Sequence, residues 1–109
     1  MKFKVSNLPL FRTKKEPFEW LRSNKKTIDV RRGNPRNGEI AVYLSGRSVL
    51  RMKIIRRETG KLADIVRLDN FRLVIPSALI LEDALDYLRG LYIGYEGVFS
   101  AYYIVPFEN

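Results

Sequence analysis

The stretch Asn24-Lys25-Lys26-Thr27-Ile28-Asp29-Val30-Arg31 decides how this chain is read, because it joins a helix end to a strand that carries charge. In an extended chain Ile28 and Val30 point to one side, and Thr27, Asp29 and Arg31 to the other. One side can then feed a core while the other lines a polar cleft. Lys26 has the wrong parity to join Asp29 and Arg31. It reaches their side only if the strand proper begins after it, or if a bulge intervenes. Just upstream, Glu16-Pro17 sets a proline at the first position of a short helix, with Phe18 and Leu21 three apart on one face. That helix should stop near Asn24, since Asn, like Gly, tolerates the left-handed backbone found just past a helix end.

Working outward, Lys2 to Val5 alternates and reads as a short first strand, and Ser6 to Thr13, which contains Pro9, reads as a loop whose Leu8, Leu10 and Phe11 dock on the core. Downstream, Gly33-Asn34-Pro35-Arg36-Asn37-Gly38 is a loop by its turn formers. Glu39 to Ser45 alternates as a half-buried strand, with Ile40, Val42 and Leu44 on one face and Ala41 and Tyr43 on the other. After the tight turn Ser45-Gly46-Arg47, the run Val49 to Arg57 puts Leu50, Met52 and Ile54 inward and Arg51, Lys53 and Arg57 outward. Glu58-Thr59-Gly60-Lys61 reads as a turn, and residues 62–76 as one strand followed by a loop. Leu81, Ala84, Leu85 and Leu88 recur at helical spacing behind Glu82 and Asp83, which suit the positive end of a helix dipole, and Gly90 closes that helix. An aromatic link leads to a last strand, Phe99 to Val105. The order predicts a single α+β domain over residues 1–109, a small antiparallel β-barrel flanked by two or more short helices.

The chain has no cysteine and no histidine. Disulfides are therefore excluded, as are the usual zinc and soft-metal sites, and no metal or cofactor is expected. No apolar run is long enough to span a bilayer or serve as a signal, so a cytoplasmic protein without membrane association is expected. The net charge is +8 and is unevenly spread: Lys and Arg outnumber Asp and Glu by 11 to 3 over residues 1–38, by 8 to 4 over residues 39–72, and fall to 1 against 5 beyond. A cationic excess gathered around the opening stretch suits a polyanion such as RNA, because phosphate neutralisation is the sequence-independent part of nucleic-acid affinity.

Asn24, Lys26, Asp29 and Arg31 carry a resemblance. They stand at the four places of the ASCH-family signature, which runs Gly, any residue, Lys, two of any, Glu, any, Arg. Lys and Arg match, Asp keeps the carboxylate, and Asn replaces the glycine. The element order, with its late helix and aromatic closing strand, is similar to the ASCH plan over nearly the whole chain. The resemblance implies a PUA-like barrel associated with RNA, with these four positions lining its cleft. One ASCH-like subgroup, an amidohydrolase of acetylated cytidine, shares the Lys and Arg but has a Thr nucleophile where this chain has Asp29. Thr27 lies on the same strand face, two residues from the matching place.

Three functions follow from different classes. In an RNA-binding module, Lys25, Lys26, Arg31, Arg32, Arg36 and Arg47 would contact phosphates and Tyr43 or a C-terminal aromatic would offer a stacking surface to an unpaired base. In a hydrolase acting on a modified nucleoside or RNA, the candidates are Lys26, Asp29 and Thr27, with Asp29 as general base if its pKa is tuned. In a protein-interaction module, the acidic helix around Glu82, Asp83 and Asp86 would face a basic partner. The first is the expectation, for a monomer or weak homodimer whose partner is RNA.

Overall fold

The structure, a computed structural model, describes residues 8–107, so the strand expected at Lys2 to Val5 lies outside the described residues. The elements run β1 (Leu10–Arg12), α1 (Lys15–Arg22), β2 (Ile28–Arg32), β3 (Ile40–Ser45), β4 (Ser48–Gly60), α2 (Leu62–Ile65), α3 (Phe71–Val74), α4 (Leu81–Leu91) and β5 (Phe99–Pro106). The fold is α+β, as expected. Its sheet has the order β1-β3-β4-β5-β2 and curls into a half-barrel. All pairings are antiparallel except β1 with β3, so the sheet is mixed rather than wholly antiparallel.

The two faces of the sheet carry separate cores. Inside the curl, Phe11, Ala41, Tyr43, Met52, Ile54, Tyr102 and Ile104 pack with Phe18 and Leu21 of α1. Outside it, Ile28, Val30, Phe99 and Ala101 pack beneath residues of α2, α3 and α4. Strand alternation explains the division of β2: Ile28 and Val30 face the helices, while Asp29 and Arg31, opposite Tyr102 and Ser100, face the interior.

Four expectations are corrected by packing. The loop read over Ser6 to Thr13 contains a strand, β1, which pairs in parallel with β3 from Leu10 opposite Val42 to Arg12 opposite Leu44 and buries Phe11. Residues 62–76 form two single-turn helices rather than a strand and loop. Leu62, Ile65 and Val66, and then Phe71, Val74 and Ile75, are buried at helical spacing, and the buried Asn70 side chain accepts from the Arg67 N–H and donates to the Ile65 carbonyl to hold the turn between them. The turn placed at Glu58 to Lys61 is strand, because β4 continues to Gly60 in register with Phe99. A bulge at Ile55 makes this possible, since Ile54 pairs with Ile104 and Arg56 already with Tyr103. It also reverses the alternation, which turns Arg57 inward beside Tyr102 instead of outward.

Helix ends differ by smaller amounts. α1 begins at Lys15, so Pro17 is third rather than first, still inside the turn whose N–H groups need no helical acceptor. Gly90 lies within α4, which ends at Leu91.

Candidate nucleic-acid interface

The site begins at the end of α1. Asn24 has φ +62°, and is the one non-glycine residue with positive φ among the described residues. The Asn24 N–H donates to the Leu21 carbonyl at 3.2 Å and the Lys25 N–H to the Trp20 carbonyl at 2.9 Å, the paired bonds of a Schellman turn. The Lys26 N–H shares the Trp20 carbonyl at 3.0 Å. Lys26 is thus still part of the turn, and β2 starts only at Ile28. That satisfies the parity condition, and Lys26 joins the Asp29 side.

Lys26, Asp29 and Arg31 meet at the floor of a cleft of about 170 Å³. The Lys26 and Asp29 side chains are each 5% exposed, with Nζ 3.9 Å from Oδ1. Arg31 Nε donates to Asp29 Oδ2 at 2.8 Å, and the Tyr43 hydroxyl donates to the same oxygen at 3.0 Å. Lys26 Nζ also donates to the carbonyl of Val74 at the end of α3. Arg31 continues across to β1, donating to the Arg12 carbonyl at 3.1 Å and to Thr13 Oγ1 at 3.2 Å. The walls are Trp20 and Pro17 from α1, Tyr87, Leu88 and Leu91 from α4, and Tyr92 just beyond, while Arg12, Thr13 and Lys14 line the same cleft from β1 and the start of α1.

The electrostatics give the three groups different duties. Burial pulls the Lys26 amine down to about 8, against the attraction of Asp29, and Arg31 lowers it further. Burial alone would raise the Asp29 pKa, but Arg31, Lys26 and two hydrogen bonds outweigh it and hold the carboxyl below its usual value. Burial likewise disfavours the Arg31 cation and is overcome by Asp29. Asp29 is therefore held ionised, with Oδ2 engaged by both Arg31 and Tyr43, while Lys26, drawn down to about 8, is a group that can exchange a proton near neutral pH.

The remaining sequence candidates disperse. Tyr43 is fully buried, so the stacking role expected of it is corrected: its ring packs on Phe11 at 5.5 Å and its hydroxyl is committed to Asp29. Thr27 does not line the cleft; its backbone is bonded to Leu73 and Ile104. Lys25 is exposed beside α1 in a shallow groove with Glu19 and Trp20. Arg32 has the opposite parity to Arg31 and lies 6.0 Å over Tyr95. Arg47 stands exposed on the β3–β4 turn, and Arg36 is held at β1 by the Leu10 carbonyl. Sequence reasoning missed Trp20, and its expectation of a C-terminal aromatic did not single out Tyr87 or Tyr92. Helical spacing identified the core faces of α1 and α4, but nothing in it signalled that the flanks of those faces oppose each other, with the Trp20 and Tyr87 rings 6.2 Å apart.

No family model and no curated protein matches the sequence. Solved structures do. The hypothetical protein PH0355 superposes with a TM-score of 0.74 at 17% identity, covering 92% of this chain and 99% of that one. The ASCH protein of Zymomonas mobilis superposes with a TM-score of 0.67 at 17% identity, covering 91% of this chain and 67% of that one. The fold is that of the ASCH domain. Protein PF0455 of Pyrococcus furiosus is similar too, with a TM-score of 0.67 at 18% identity over 94% of this chain and 99% of that one. Identities this low speak for the backbone alone.

Proposed function

We propose that this ASCH-fold chain is an RNA-binding module of the cytoplasm, acting as a monomer, which receives one unpaired base in the cleft. The observation that carries this reading is a floor of amine, carboxylate and guanidinium beneath aromatic walls. The π-faces of Trp20, Tyr87 and Tyr92 suit a planar base, at roughly 1–3 kcal/mol per stacked base. The floor supplies donors from Lys26 and Arg31 and an acceptor from Asp29, which match the hydrogen-bonding edge of a base. Arg12 and Lys14 at the cleft and Lys25 beside it are suited to phosphates. A volume of about 170 Å³ suits one base rather than several.

Trp20 is the only tryptophan, so its emission reports directly on the cleft. Single-stranded and hairpin RNA, matched DNA and the four nucleosides should be titrated against Trp20 fluorescence, with labelled RNA followed by anisotropy across a salt series. Saturable quenching, preference for RNA over DNA, and loss of binding in Lys26→Ala/Arg31→Ala are expected. Weak binding, equal for both nucleic acids and unchanged in a folded variant, would retire the reading.

A second reading, hydrolysis of a modified nucleoside, is favoured by the Lys26 amine, whose pKa of about 8 leaves part of it neutral at physiological pH. Lys26, not Asp29, would then carry the proton. Incubation with acetylated cytidine decides it: acetate release lost in Lys26→Met supports hydrolysis, and no release sinks it.

A further inference from the structure

The half-barrel has an open seam, and that seam is lined with arginine. β1 and β2 are the two ends of the sheet, and no backbone ladder joins them. Side chains cross the gap instead. Arg31 donates to the Arg12 carbonyl, and Arg36 donates to the Leu10 carbonyl at 3.1 Å, two residues earlier on the same strand. Both guanidiniums lie over the Phe11 ring between them, at 4.7 Å for Arg31 and 5.7 Å for Arg36. Arg57, turned inward by the bulge, donates to the carbonyls of Arg36 and Gly38 and lies 5.8 Å over Tyr102.

The charge balance along this seam is uneven. Arg31 is neutralised by Asp29. Arg36 and Arg57 have no carboxylate partner among the described residues. Their positions are nevertheless fixed, by carbonyls and by aromatic faces, so an incoming anion would not have to order them. A guanidinium has five N–H donors, and Arg36 spends one of its own on Leu10 while remaining exposed. The seam is also continuous with the cleft, because Arg31 touches Asp29 at the floor and Arg12 at the edge. Two residues of strand separate the Arg31 and Arg36 anchor points by about 7 Å, a distance that one nucleotide of an extended strand spans.

We propose that Arg36 and Arg57 form a second anion site, which takes the phosphate neighbouring the nucleotide held in the cleft, so that a bound strand crosses the β1 edge from the cleft to the 33–38 loop. The occupant rests on the RNA reading above; the anion site itself does not. Two measurements separate them. Inorganic phosphate and pyrophosphate, followed by the Nε–H resonances of the arginines, read the seam without any ligand in the cleft. Saturable shifts at both Arg36 and Arg57 are expected, with the Arg57 shift weakened in Arg36→Ala and the Arg36 shift weakened in Arg57→Ala; shifts absent from the wild type, or unchanged in the single variants, overturn the site whatever the cleft binds.

Trinucleotides compared with the matching nucleosides, read by Trp20, test the strand path. The trinucleotide should bind at least roughly tenfold tighter. Arg36→Lys/Arg57→Lys, which keeps the charge and the fold but loses the fork, should remove part of that gain, and the alanine pair nearly all of it, with a salt slope smaller by about 0.7 per lost contact. Nucleoside affinity should stay unchanged in both. A trinucleotide no tighter than its nucleoside, or a gain that survives in the alanine pair, overturns the path. If nucleosides and RNA leave Trp20 unaffected while phosphate still shifts the arginines, the RNA reading fails and the anion site stands.

Discussion

Tyr43 donates its hydroxyl hydrogen to Asp29 Oδ2 at 3.0 Å, although β3 and β2 are three strand steps apart in the sheet order. In a flat sheet that separation would be about 14 Å, so the bond exists only because the sheet curls. The same bond helps keep Asp29 ionised. Tyr43→Phe should therefore cost about 1.5–3 kcal/mol at neutral pH, the range for a hydrogen bond to a charged group. The sign with pH follows from Asp29. Its folded pKa lies below the unfolded value of 3.8, so its contribution is full above that value and lost as pH falls through the folded one. Urea unfolding at pH 7 and in strong acid checks this: the gap between wild type and variant should shrink in acid, and a gap independent of pH would count against it.

Lys26 gives the opposite end of the pH scale. Its folded pKa of about 8 lies below the ordinary 10.5, so the buried cation costs stability below pH 8 and the cost is relieved as pH rises from there to 10.5. Unfolding free energy should gain up to about 3 kcal/mol across that window from this group. Lys26→Met should abolish the gain, and the difference between the two proteins isolates it. Directly, the Lys26 Cε resonance should titrate near pH 8, and in Asp29→Asn it should titrate lower still, because the carboxylate that favours the cation is gone.

Asn24 tests the turn. At φ +62° the backbone is left-handed. Asn24→Gly should be tolerated within a few tenths of a kcal/mol, while Asn24→Val, with its branched Cβ, should lose about 1–2 kcal/mol. Thermal melts of the pair decide it. Equal stability of the two would mean that the left-handed turn does not limit the fold.

Arg31 links the edges of the half-barrel. Arg31→Ala leaves a buried carboxylate short of its main partner and should cost about 3 kcal/mol or more. Arg31→Lys keeps the charge but cannot reach Asp29, Arg12 and Thr13 together, so β1 should loosen. The Thr13 amide, which donates to the Leu44 carbonyl at 2.8 Å, should exchange faster in both variants. Unchanged protection at Thr13 would show that the ladder to β3 alone holds the edge.

The parts of the molecule legible in sequence were those with local causes. Asn24 ended α1 as its residue type predicts, alternation placed β3 and β5, and apolar spacing placed α4. Residues 62–76 were not legible, because two single-turn helices carry too few residues for a period to show and are held by Asn70 and by packing beneath β2 and β5. Arg57 was misread for a related reason: one bulged residue, Ile55, reverses the facing of everything after it, and nothing in the sequence around it marks the bulge.

The candidate site divides along the same line. The sequence places an amine, a carboxylate and a guanidinium close together at a helix-to-strand junction, since spacing of two or three residues needs only local backbone geometry. It also determined the cationic excess of the first two-thirds. Tertiary structure alone decided that Lys26 is buried under Val74, that Tyr43 is a core ligand of Asp29 rather than a surface for a base, and that Trp20 meets Tyr87 across a cleft. Those relationships join residues 14 to 67 positions apart. They depend on the curl of the sheet and on which helix flanks come to face each other, quantities that no local run of side chains encodes.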